Sequence, residues 1–137
     1  MFTQAGSPCI YYGDEVGMEG NQGMGMEFHR RCMIWDENKQ DKDMLKFMKQ
    51  IIKIRKENKE LNLLDNNWIR ANRDENILIY SKKNIFIIMN NSDREEKVFL
   101  PKEIKNNKVK DLCEEKIEPL KEDVELKPFA FKVYKKL

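Results

Sequence analysis

Residues 77–89 read ILIYSKKNIFIIM, which is two apolar runs separated by a short polar stretch. The runs 77–80 and 85–89 are rich in isoleucine, and β-branched residues of this kind are enriched in strands. The tripeptide Lys82-Lys83-Asn84 has the polar character of a turn. Two such strands joined by so few residues predict a β-hairpin.

Further short apolar runs lie on both sides of this hairpin. In the last of them apolar and polar residues alternate, so that Phe129, Phe131 and Val133 would share one face of a strand. Several short strands at this spacing predict a small antiparallel β-sandwich. The additional strands are expected at 68–72, 98–100, 109–113 and 129–134.

An amphipathic helix is predicted before the first of these strands. Asp41 and Asp43 are the candidates for its N-cap, because a carboxylate can accept hydrogen bonds from the free backbone N–H groups there. Asn58 and Lys59 mark its predicted end. A helix with one apolar face must pack against another surface. That face contains Met44, Phe47, Met48, Ile51 and Ile52.

The first forty residues have a different character. The stretch 8–13 has apolar and aromatic residues without alternation, which predicts a strand buried on both faces that ends at Gly13. Four further glycines, Gly17, Gly20, Gly23 and Gly25, predict a long irregular loop after it. A loop of this length inside a compact domain is usually functional or disordered.

Composition excludes several classes of function. The 26 Lys and Arg residues against 24 Asp and Glu give a net charge of +2, whereas a nucleic-acid binder needs a surplus of cations. No apolar run approaches the roughly 20 residues that span a bilayer, so no membrane partner is predicted. Nothing in the sequence indicates export, and a cytoplasmic location is expected. Three scattered cysteines and one histidine predict neither a metal site nor a cofactor.

The acidic pair Asp14-Glu15 is the one candidate for hydrolytic chemistry that the residues themselves offer. Neighbouring side chains on an extended chain point to opposite sides, so these two cannot converge on one bond. Their main interpretation is structural, through hydrogen bonds to nearby loops, and the alternative is that they line a site. No catalytic residue is assigned.

Two motifs resemble a known family. Residues 6–18, GSPCIYYGDEVGM, resemble the last barrel strand of α-amylase family glycoside hydrolases, in the neopullulanase, cyclomaltodextrinase and α-glucosidase branch. Residues 30–36, RRCMIWD, are similar to the next motif of that branch, which leads into the eighth helix. The helix and the strand-rich end follow in the same order.

The resemblance implies an α+β fold, with the last strand and helix of a (β/α)8 barrel at 1–61 and an antiparallel β-sandwich, called domain C, at 62–137. It implies the C-terminal part of an enzyme that hydrolyses α-glucans or maltooligosaccharides. The catalytic carboxylates of this family lie on earlier strands, so the chain is expected to be inactive alone.

Arg30 matches an arginine that contacts sugar in this family, and a guanidinium suits paired hydroxyls. The aspartate expected four residues earlier is replaced by Met26, so structural pairing of Arg30 is the other interpretation. Trp35 is expected to pack beneath the start of the helix, and Trp68 in the sandwich core. The alternative for both is a platform on which a sugar ring stacks.

Two further predictions concern partners. The alternative function is a non-catalytic β-sandwich module that binds glycans or a protein. The apolar strand 8–13 and the helix face also lack the neighbours that a barrel would supply. Unpaired strand edges invite pairing with another chain, so a homo-oligomer is expected.

Overall fold

The computed structural model describes residues 1–20, 25–72 and 75–137. One α-helix, α1 (Lys42–Glu57), precedes eight strands. Short 3-10 helices lie at Asp14–Val16, Met26–His29, Glu37–Lys39 and Lys59–Asn62. The strands are β1 (Asn67–Ala71), β2 (Ile77–Lys82), β3 (Ile85–Asn90), β4 (Glu96–Phe99), β5 (Lys108–Asp111), β6 (Lys116–Pro119), β7 (Asp123–Leu126) and β8 (Phe131–Lys136).

The predicted hairpin is confirmed and lies inside the main sheet. Strands β2 and β3 pair antiparallel from Ile77 opposite Asn90 to Lys82 opposite Ile85. The turn therefore consists of Lys83 and Asn84, and Lys83 adopts a left-handed φ of 52°. The six-stranded sheet has the order β1-β2-β3-β8-β5-β6, and β4 and β7 form a separate two-stranded sheet.

Two of the eight strands were not predicted. Strand β6 is an edge strand whose isoleucine, Ile117, is 57% exposed, so it has no buried apolar face that the sequence could reveal. Strand β7 alternates in the order Asp, Val, Glu, Leu, and only Leu126 is fully buried. These strands are held by backbone pairing with β5 and β4, which a residue pattern does not record.

Strand β3 has apolar side chains buried on both faces of the main sheet. Phe86 and Ile88 point into the core beneath the two-stranded sheet, which also contains Val98, Val109 and Leu126. The alternate residues of β3, Ile85 and Ile87, point to the opposite face. A sheet covered on both faces explains why this run is continuously apolar instead of alternating.

Helix α1 covers the second face of the sheet. The apolar cluster there combines Met48, Ile51 and Ile54 of the helix with residues of β2, β3 and β8. The prediction that the apolar helix face lacks a neighbour needs one correction, because the sheet covers part of that face. Met44 and Phe47 stay 38% and 39% exposed. The cluster partners on the sheet are Tyr80, Ile85, Ile87 and Val133.

The ends of α1 are capped by side chains. The Oδ1 atom of Asp41 accepts a hydrogen bond from the backbone N–H of Met44 at 2.8 Å, which confirms Asp41 as the N-cap. At the other end, the buried side-chain amide of Asn58 donates to the carbonyl of Ile54 at 2.8 Å. Within the described residues, no helix combines the length and the apolar character that crossing a bilayer requires.

A buried lysine joins the sheet to the segment after the helix. Lys82 is 1% exposed, and its Nζ donates to the carbonyl oxygens of Leu61 and Leu63. Burial lowers the pKa of Lys82, and the charge of Arg55 lowers it further. The domain boundary predicted between residues 61 and 62 stays a prediction, and the hydrogen bond from Lys82 to Leu61 crosses it.

The predicted strand 8–13 is wrong for this chain. Residues 7–11 form neither helix nor strand, and the side chains of Ile10, Tyr11 and Tyr12 are exposed. A strand buried on both faces needs hydrogen-bonded neighbours at its edges, and the described strands all lie in two other sheets.

Apolar burial, not charge pairing, holds α1 on the sheet. The ion pair between Lys53 Nζ and Glu115 Oε1 at 2.8 Å joins the two layers, but both side chains are more than half exposed. An exposed pair contributes about 0–1 kcal/mol, whereas a fully buried isoleucine contributes roughly 1.5–3 kcal/mol.

This difference predicts the outcome of two neighbouring substitutions. Ile51→Ala should lower the free energy of unfolding by about 2–5 kcal/mol, because it leaves a cavity between helix and sheet. Lys53→Ala should lower it by less than about 1 kcal/mol. Urea unfolding followed by circular dichroism measures both values, and equal losses would contradict the packing described for α1.

Candidate functional site

The candidate site is built on a tight turn after the exposed segment. Gly13 has a φ of 94° and Gly17 a φ of 69°, a conformation that side chains with a Cβ rarely adopt. Between them, Asp14–Val16 form a single 3-10 turn, and the N–H of Met18 donates back to the carbonyl of Gly13 at 2.9 Å. The glycine positions therefore close this turn.

Both carboxylates of the acidic pair bond to the backbone of this turn. The Oδ2 atom of Asp14 accepts from the N–H of Tyr11 at 3.2 Å. The Oε2 atom of Glu15 accepts from the N–H of Gly13 at 2.9 Å. These hydrogen bonds agree with the structural role predicted for the pair. Asp14 also lines a cavity beside the turn.

A cavity of about 140 Å³ lies beside the turn. The rings of Tyr11 and Tyr12 form part of its wall, with centroids 4.6 Å apart and planes inclined by 40°. Aromatic faces combined with cationic and hydrogen-bonding groups suit a polar ligand that has apolar C–H faces. The lining residues are Tyr11, Tyr12, Asp14, Met18, Glu19, Gly20, His29 and Arg31.

Arg31 joins the two sides of this cavity. Its guanidinium donates to the carbonyl oxygen of Glu19, and its own carbonyl accepts a 2.8 Å hydrogen bond from the hydroxyl of Tyr12. Desolvation raises the pKa of Tyr12, and neighbouring Tyr11 raises it further, whereas the positive charge of Arg30 lowers it. At neutral pH the Tyr12 hydroxyl is therefore a protonated donor.

Arg30, the site residue predicted from the sequence, lies next to this cavity and not among its lining residues. It follows the 3-10 helix Met26–His29, where its N–H donates to the carbonyl of Glu27 at 3.2 Å. Its side chain is exposed and makes no hydrogen bond or ion pair with the described residues. Met26 is 70% exposed.

Sequence reasoning missed Arg31, His29 and Tyr12 as residues of one cavity. The sequence did contain one indication, the adjacent pair Arg30-Arg31. Neighbouring side chains on an irregular chain face different directions, so either arginine could have been the one that faces the site. Only the path of the backbone decides which of the two faces the tyrosines. Residues 21–24, part of the predicted glycine-rich loop, lie outside the described residues.

Both tryptophan predictions need correction. Trp35 is 81% exposed and does not pack beneath the start of α1, because Val16 is buried there instead. The N–H of Asp41 donates to the carbonyl of Val16 at 3.0 Å at this point. Trp68 is 51% exposed because β1 is an edge strand, and its ring lies 5.0 Å from that of Tyr80.

A larger cavity of about 530 Å³ lies at one end of the main sheet. Its lining includes Ile77, Met89 and Phe129, and its one carboxylate, Glu75, is paired with Arg70. The smaller cavity is lined by more ionisable side chains, namely Asp14, Glu19, His29 and Arg31, and is therefore the better candidate site. Among the described residues, no three His, Cys, Asp or Glu side chains are grouped so that they could hold a metal ion.

Comparison with known proteins identifies relatives of a large part of this chain. No family model matches it. The chain is 47% identical over 92 residues to an intracellular maltogenic amylase of Bacillus subtilis, covering 58% of this chain and 15% of that protein. It is 43% identical over 105 residues to a cyclomaltodextrinase of Thermoanaerobacter pseudethanolicus, covering 72% of this chain and 17% of that protein.

A solved cyclomaltodextrinase structure superimposes on 98% of this chain and 24% of its own length, with a TM-score of 0.80 and 29% identity. The chain is homologous to the C-terminal region of α-amylase family glycoside hydrolases. The resemblance read from residues 6–18 and 30–36 is thereby confirmed. The chain spans less than a fifth of the length of the two amylase relatives compared above.

The Tyr12 hydroxyl supplies a direct test of the site geometry in this amylase homologue. The ultraviolet titration of the chain minus that of Tyr12→Phe should show a tyrosine whose pKa lies above its ordinary value of 10, because desolvation and the interaction with Tyr11 favour the protonated form. Arg30→Met should raise this pKa further by removing a positive charge. A pKa at or below 10 in this difference titration would show that Tyr12 does not hold this position.

Proposed function

We propose that this chain is the C-terminal section of an α-glucan-hydrolysing glycosidase of the cyclomaltodextrinase, maltogenic amylase or neopullulanase type. The observation that carries the proposal is 43% identity to a cyclomaltodextrinase across 72% of the chain. The proposed substrates are α-glucans and maltooligosaccharides. The relative named an intracellular maltogenic amylase supports a location inside the cell.

Within such an enzyme, we infer that residues 1–61 supply the last strand and helix of the barrel and that residues 62–137 are domain C. The segment 7–10, which forms neither helix nor strand, supports this division, because neighbouring barrel strands would supply hydrogen-bond partners for its backbone. Exposed Ile10 and Trp35 supply apolar surface for the same contact. The predicted homo-oligomer, in which a second copy would cover this segment, stays a prediction.

The cavity beside the turn is the proposed sugar-binding part of this section. The rings of Tyr11 and Tyr12 offer faces to the C–H groups of a glucose unit. The Tyr12 hydroxyl oxygen can accept a hydrogen bond from a sugar hydroxyl, and Arg31 has further N–H groups that can donate one. Arg30 follows directly on His29 of the lining, and its exposed guanidinium can add a second fork of donors. Met26, in place of an aspartate, offers no acceptor for a sugar hydroxyl.

Hydrolysis requires groups from elsewhere in the enzyme. A retaining glycosidase uses two carboxyl groups about 5–5.5 Å apart that flank the scissile bond. Asp14 and Glu15 instead accept hydrogen bonds from backbone N–H groups of their own turn. We therefore propose that this chain binds and positions substrate and does not cleave it.

Titration of the ¹⁵N-labelled chain with maltotriose tests the proposal. Weak binding should shift the amide resonances of residues around the cavity, in particular Tyr12 and Arg31, while incubation releases no glucose or maltose. Arg31→Met should abolish these shifts. Arg94→Met is the matched control, since Arg94 is an exposed arginine paired with Glu96 far along the chain.

Two outcomes would contradict the proposal. Shifts confined to the surroundings of Trp68 would instead favour the glycan-binding sandwich module. Release of sugar by chain purified free of host enzymes would show that the chain has its own catalytic carboxylates.

A further inference from the structure

Helix α1 contacts the chain at both ends of the exposed segment that carries the tyrosines. The first contact is made by Arg55, in the last turn of the helix. Its Nη1 donates to the carbonyl oxygens of Phe2 and Gln4 at 2.7 and 2.9 Å, and its Nη2 donates to that of Gly6 at 2.6 Å. One guanidinium thus gathers three carbonyl groups from residues 2–6, which we call the N-terminal strap.

The strap is also held from the sheet. The hydroxyls of Thr3 and Tyr80 are hydrogen-bonded at 2.6 Å, and both side chains are buried. The side-chain amide of Asn66 donates to Oε1 of Gln4 at 2.8 Å. Phe2 is buried in the cluster between helix and sheet. Polar and apolar contacts therefore hold the strap in one place.

The second contact lies at the opposite end of the helix. The N–H of the N-cap residue Asp41 donates to the carbonyl of Val16 at 3.0 Å, and Val16 is buried. Gly17 packs so closely here that a Cβ atom on it would lie 2.8 Å from Cβ of Asp41. The turn that forms the cavity is thus seated on the helix N-terminus.

These two contacts fix the separation of the segment's ends. Fourteen residues separate Asp41 from Arg55, which is about 21 Å along a helix. The ten residue steps from Gly6 to Val16 reach about 33–36 Å when fully extended. The segment therefore spans most of the length of the helix, with a fully extended reach about 12–15 Å longer than that span.

We propose that α1 acts as a two-point frame, in which Arg55 and the Gly17–Asp41 contact are positioning elements that hold Tyr11 and Tyr12 in place before any ligand binds. The assignment of sugar to the cavity rests on the proposed function, but the frame does not. Arg55 touches neither the tyrosines nor the cavity and acts only through the strap.

Limited digestion with chymotrypsin, which cleaves after aromatic residues, tests the first contact. Arg55→Met should accelerate cleavage after Tyr11 and Tyr12 roughly tenfold, because local opening of the segment no longer breaks three hydrogen bonds. Arg55→Lys should restore the slow rate in part, since a lysine can bond to some of the carbonyls but lacks the fork. Lys56→Met is the matched control and should leave the rate unchanged.

Gly17→Ala tests the second contact and should also accelerate this cleavage, because the new Cβ pushes the turn from the helix. Gly25→Ala is its control: Gly25 has a similar φ of 82°, but its Cβ would meet only the flexible side chain of Glu27. If Arg55→Met does not fold, Thr3→Val, which removes the bond to Tyr80, should give the same local acceleration.

Unchanged cleavage in both Arg55→Met and Gly17→Ala would overturn the proposal. It would also be overturned if cleavage rose equally after buried Phe86 in β3, since this would show a general loss of stability. The digestion needs no sugar, so failure of sugar binding and failure of the frame are separate results.

Discussion

The double-sided burial of strand β3 is the constraint on which the rest of this structure depends. Ile85 and Ile87 face the helix, while Phe86 and Ile88 face the two-stranded sheet, and all four are at most 4% exposed. Each layer is therefore built against alternate residues of one strand. Because α1 packs on this strand, the chain segments that contact the two ends of α1 are also held in place. One of these segments is the turn that forms the candidate site.

The sequence predicted the elements whose stability is local or whose burial is regular. The β2–β3 hairpin, the helix and its Asp41 cap each leave a pattern of spacing or residue type. Strand β6 has no buried apolar face, and β7 is four residues long with Leu126 as its one fully buried side chain, so both leave only a weak pattern. The error at 8–13 has the opposite origin: the apolar pattern is present, but the described residues contain no strand beside it.

The candidate site was predictable only as a region. Motif similarity pointed to Arg30, whereas the backbone path places Arg31 among the residues that line the cavity. The backbone hydrogen bonds of the acidic pair match its structural interpretation, while Asp14 also lines the cavity, as the alternative interpretation had it. Exposure of Trp35 and Trp68 could not be derived from residue type, since it depends on which surfaces of the chain are covered. Homology to amylases suggests what could cover the exposed Trp35, namely the rest of a barrel, whereas composition alone does not.

Native-state hydrogen exchange in increasing urea tests the central claim that helix and sheet share one core. The account predicts that the slowest amides of α1, such as those of Ile51 and Ile54, exchange through the same global opening as those of Ile87 and Ile88 in β3. Their free energies of opening should converge on the free energy of unfolding. Exchange of the α1 amides through a separate opening of much lower free energy, with β3 still protected, would contradict it.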